Sequence, residues 1–174
     1  MKVSPQIISP QDIVILLKIT TYGDRDWNQS SLAEELHISQ SEVSKSLMRS
    51  KYAALLNYTG KKVMRSALME FLQYGIKYVF PQQPGAIVRG IPTAHSAPSL
   101  QDDFQSEEHF VWPSATGTVR GQSIQPLYPS VVQAVKHDEN LYALLTLIDA
   151  IRVGRAREKE MAIGKLKKRL LDGE

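Results

Sequence analysis

Four polar side chains open a segment with chemistry in it: Gln40, Ser41, Ser44 and Lys45. Gln can pair bidentately with adenine, and Lys can reach guanine O6 or N7. Ser hydroxyls and a helix N-terminus suit phosphate oxygens. Downstream come Arg49, Lys51, Lys61 and Lys62, cations at distances that suit a phosphate backbone. The acid among them, Glu42, stands three residues after Ser39, so S-x-x-E predicts a capping box that occupies its carboxylate.

Other chemistries find less to work with. The chain has no cysteine, hence no disulfide, thiolate nucleophile or Cys-ligated zinc. Its four histidines, His37, His95, His109 and His137, lack metal-ligand spacing, and Glu107-Glu108-His109 reads as a solvated acidic loop. Gly85 and Gly90 have no Lys-Ser/Thr after them, so no phosphate loop forms, and no G-x-S-x-G is present. The expectation is a protein that is not an enzyme and uses no metal or cofactor. No apolar run approaches the roughly 18 residues that span a bilayer, and residues 1–10 do not read as a secretory signal. A cytoplasmic address without membrane contact is expected.

Charge is distributed unevenly over the 174 residues. Residues 1–80 hold ten bases and seven acids, 81–130 two bases and four acids, and 131–174 nine bases and seven acids. A mild positive balance at both ends permits a polyanionic partner.

Elements must position the polar set, and proline marks where they lie. Seven of nine prolines fall between Pro81 and Pro129. Helix interiors reject proline, so 81–130 should be loops, turns and short extended pieces. The expected plan is mostly α: residues 1–80 a helical binding domain, 81–130 a loop-rich connection, 131–174 a helical region. Ser9-Pro10-Gln11-Asp12 announces a first helix that Gly23 ends. Leu32 and Leu36, then Val43 and Leu47, give two short helices with Ile38 in the break between them, and Ser39 caps the second, which runs to about Leu56. This is a helix-turn-helix arrangement. Asn57 to Lys62 is a turn, either the tip of a small wing or a linker. Leu68, Phe71, Leu72 and Ile76 predict a helix over 65–79.

Over Leu32-Ala33-Glu34-Glu35-Leu36, Ile38-Ser39-Gln40-Ser41, Val43-Ser44-Lys45 and Leu47 the chain resembles the helix-turn-helix of bacterial transcriptional regulators, most nearly winged-helix repressors of the MarR type. The match is strong over about 20 residues and looser over 9–79. His37 stands where that family usually has Gly in a left-handed turn. Ser46 stands where an apolar residue is common, leaving Leu47 or Met48 to fill the space. The resemblance implies sequence-specific binding of double-stranded DNA, usually as a homodimer. Gln40, Ser41, Ser44 and Lys45 would face bases, and Arg49, Lys51, Lys61 and Lys62 phosphates.

The remaining chain carries its own signals. Gly85 to Gly90 echoes Gly117 to Gly121, each a short extended piece ending in Arg-Gly (Arg89, Arg120). Phe110, Trp112 and Tyr128 read as anchors for the middle segment. A short helix from Ser130 to Lys136 precedes a longer one capped by Asp138, whose stripe is Leu141, Leu144, Leu145, Ile148 and Ile151. That stripe is a dimer seam or a monomer's core. A kink or break is expected at Gly154, because Gly costs about 1 kcal/mol against Ala inside a helix. Asp149 and Arg152 are spaced to pair. With Arg155 and Arg157 they suit a network that buttresses the middle segment, an anionic effector pocket, or a partner surface. The last use belongs to a different class of protein, an antitoxin-like module that binds a partner through Arg152 to Leu170.

Overall fold

The computed structural model describes residues 7–172. Within them lie eight α-helices, two 3₁₀ turns and three short strands, so the protein is mostly α. The centre is α1 (Pro10–Thr21), whose Ile13 to Leu17 are all buried. A helix apolar all round must be enclosed, and α1 packs against α2 (Gln29–Leu36), α3 (Gln40–Tyr52) and α7 (Glu139–Val153).

Charged side chains tie both ends of α1. The Asp12 carboxylate, in the first turn, accepts the Ser9 N–H at 2.8 Å and a forked pair from Arg49 of α3 at 2.9 and 2.7 Å. Lys18, in the last turn, donates to Asp138 and lies 2.7 Å from Glu35 of α2. Acid at the start and base at the end also complement the helix dipole. Burial alone would lower the Lys18 ammonium, but the Asp138 and Glu35 hydrogen bonds outweigh it and hold the ammonium above its ordinary value.

Helix α4 (Arg65–Tyr74) is shorter than the periodicity implies. Gly75 interrupts the expected 65–79 helix, and α5 (Ile76–Val79) restarts with Ile76 buried. The offset leaves the Phe80 carbonyl in reach of the Arg152 Nε at 2.9 Å.

In the Pro-rich middle, β1 (Ile87–Pro92), β2 (Phe110–Pro113) and β3 (Val119–Ser123) each pair with both others. The two echoed pieces lie antiparallel with Arg89 opposite Arg120. Their glycines allow this closeness and the approach of β2. A Cβ on Gly90 would fall 2.0 Å from the Trp112 carbonyl oxygen, and one on Gly117 would fall 2.2 Å from that of Gly90.

After α6 (Val131–Ala134), α7 starts at Asp138, which accepts the Leu141 N–H at 2.9 Å. It stops at Gly154, and α8 (Ala156–Leu170) runs separately. The stripe on α7 is interior: Leu141, Leu144, Leu145, Ile148 and Ile151 belong to one apolar cluster with Ile13, Leu47, Trp112 and Leu166. This corrects the dimer-seam option, since that face is covered by its own chain. All three segments of the sequence contribute to this cluster. The middle is fastened to α7 by Asp149, whose carboxylate accepts from Thr93 Oγ1 and Trp112 Nε1, each at 2.7 Å, and from Arg152 at 3.0 Å.

Candidate nucleic-acid interface

The site begins with a turn. Helix α2 is capped by Asn28, whose side chain accepts the Ser31 N–H at 2.9 Å, and it ends at His37 in the left-handed conformation, φ 54°. His tolerates that region better than β-branched residues do. Ser39 then caps α3 by accepting the Glu42 N–H at 3.1 Å. Leu32, Ala33 and Leu36 of α2 and Ile38 meet Val43 and Leu47 of α3 in the core. The inner positions therefore decide which way α3 faces.

Its outer positions are wet. Gln40, Ser41, Ser44 and Lys45 are all exposed, as are Lys51 and Lys62. Lys45 is 63% exposed in its side chain and lies 3.8 Å from Glu42. Only the Ser39 half of the capping box forms. Glu42 leans toward Lys45 instead of its cap, so the first two turns hold one base and one acid close together. The positive character of the face comes from adding Lys51 and Lys62.

Two cations expected at phosphates are held elsewhere. Arg49 is the clamp on Asp12 described above, and that carboxylate holds its guanidinium even more firmly protonated than usual. It turns inward because the buried Asp12 lies one helix away and needs a counter-charge. Lys61 is exposed, yet its Nζ donates to the Trp27 carbonyl at 2.8 Å and sits 4.5 Å over the Trp27 ring. That contact, returned by Trp27 Nε1 to the Lys61 carbonyl at 3.2 Å, pins the 57–62 turn against the start of α2.

The turn itself is minimal. Helix α3 ends at Tyr52 rather than near Leu56, because Ala54 adopts φ 60° and sends Leu55 and Leu56 inward. Leu56 and Val63 then form a single antiparallel bridge, backed by the Asn57 N–H to the Lys62 carbonyl at 2.8 Å. This is one rung of a hairpin.

Ser46 is buried, and its hydroxyl has no hydrogen-bond partner among the described residues, so it fills the inward position as a small volume beside Leu47. Met48 does not share that work: it points out, 58% exposed. Tyr52 and Tyr58 are exposed too, Tyr58 by 92% at the turn's tip. Sequence reasoning offered Met48 as a core filler and passed over the two tyrosines. Met48 stands four residues after Ser44, and that spacing places it on the outer face.

No protein-family model, curated protein or solved structure matches this chain.

Proposed function

We propose that the protein binds double-stranded DNA through the outer face of α3 and acts as a transcriptional regulator resembling the bacterial helix-turn-helix repressors. One observation carries the reading: α3 buries Val43 and Leu47 while Gln40, Ser41, Ser44 and Lys45 are exposed at its start. A major groove about 12 Å wide admits a helix, and short polar side chains at the helix's beginning are those that reach base edges. Lys51 and Lys62 supply phosphate contacts; Arg49 is withdrawn from the interface by Asp12.

Fluorescence anisotropy with a duplex pool at two salt concentrations tests this. Lys51 and Lys62 at phosphates predict a slope of log K against log[salt] near −1.8 per protomer, from about 0.9 per phosphate. No duplex binding at either salt would overturn the reading.

Homodimerisation is part of the proposal, since two half-sites multiply affinity. With α7 interior, the seam lies elsewhere. We assign it to α4 and α5, where Tyr74, Tyr78 and Val79 are exposed. Light scattering of wild type and Tyr78→Glu checks it, the substitution being expected to yield monomer.

A further inference from the structure

We infer that Met48 reads the 5-methyl group of a thymine, so that each half-site contains a required thymine beneath the third turn of α3. This rests on the DNA-binding reading above. Gln40, Ser41, Ser44, Lys45 and Met48 follow helical spacing along one exposed face. The first four are polar. Met48 has no hydrogen bond to donate, and its neighbour Leu47 does the packing, so the thioether serves no core. Isolated exposed apolar residues are common and need no explanation. What singles Met48 out is its position in the row of base readers, roughly 12 Å from the helix start at 1.5 Å per residue. Lys45 and Lys51 flank it, and the acid of this helix, Glu42, lies off that row beside Lys45. A cationic surround fits a polyanion and opposes an acidic partner surface.

The major groove offers one apolar feature, the thymine methyl. A flexible, polarizable side chain can settle on it without demanding exact placement. Gln40, suited to adenine, points to the same A·T content.

The test begins with duplexes selected from a random pool. Each thymine of the tightest site is then replaced singly by uracil, which keeps base pairing and removes only the methyl. One thymine per half-site should show about a fourfold loss, the value of one buried methyl. Met48→Ala should bind the thymine and uracil duplexes equally, and Met48→Leu should restore the preference. A selected site in which no uracil replacement matters, or a Met48→Ala protein that still prefers thymine, overturns the inference and leaves DNA binding standing. Binding without sequence selection overturns it likewise. Failure to bind any duplex removes both readings.

Discussion

Helices α3 and α7 both place apolar residues at helical spacing, but α3 mixes them with Glu42, Lys45, Arg49 and Lys51 where α7 has Glu139, Asp149 and Arg152, and the fold uses the two in opposite ways. Helix α3 buries one side and leaves Gln40, Ser41, Ser44 and Lys45 in water. Helix α7 is enclosed from Ala143 to Arg152. The charges on α7 therefore had to find partners inside the protein, and Asp149 and Arg152 found each other, Thr93, Trp112 and the Phe80 carbonyl. Arg49 shows that one helix can do both: on α3, with solvent on the other side, it serves the core. A cation's task depends on whether a buried acid lies within reach, and residue type alone does not reveal that.

Removing the interior network should have the largest effect. Asp149→Ala strands the Arg152 guanidinium and leaves Thr93 and Trp112 without an acceptor. Breaking a buried pair this way costs about 3–5 kcal/mol. Urea denaturation should show that loss, while the protein that remains folded binds duplex with unchanged affinity. If Asp149→Ala were as stable as wild type, the contrast between the helices would fail at its interior end.

Asp12→Ala comes next, at about 1.5–3 kcal/mol of stability, the range for hydrogen bonds to charged groups. Arg49 is partly exposed and can recover water, so its loss is smaller than that at Asp149. Arg49→Gln should likewise weaken folding more than DNA binding. Lys45→Glu sharpens the other end. It should weaken binding by more than about 1 kcal/mol and shift the urea midpoint little, as exposed substitutions usually stay within about 0.5 kcal/mol. A Lys45→Glu protein with wild-type affinity would show that this face does not meet DNA.

What could be read from the sequence was local. Ser39 as a cap, the break at Gly154, the Asp149–Arg152 pair and the start of α7 at Asp138 each depend on neighbours within four residues. The echo at Arg89 and Arg120 was visible, and the structure lays its copies side by side. The long-range partners were hidden. Nothing near Arg49 announces Asp12, and Asp138 is 120 residues from Lys18. The stripe on α7 was legible as apolar but not as interior, because periodicity reports that a face is covered without saying by which chain. Glu42 misled for a related reason: S-x-x-E permits two reciprocal hydrogen bonds, and a nearby Lys45 competes for the second.

The smallest expected effect is an alkaline loss of stability, and it separates the two regions by titration. Burial pushes the Tyr142 phenol of α7 up to about 12 from 10.0. Its hydroxyl donates to the Pro92 carbonyl at the end of β1. A raised value means the folded state holds the proton more tightly than the unfolded chain. The stabilisation is complete below about pH 10 and is lost as pH climbs toward 12. Lys18 has the same sign, its ammonium held above 10.5 by Asp138 and Glu35 despite burial, so its contribution also fades above that pH. Both groups tie α7 or its cap to another element. Urea midpoints between pH 8 and 11.5 should fall at the alkaline end, and Tyr142→Phe, which has no proton to lose, should flatten part of that fall. An equal fall in wild type and Tyr142→Phe would mean that the link between α7 and β1 does not depend on this proton.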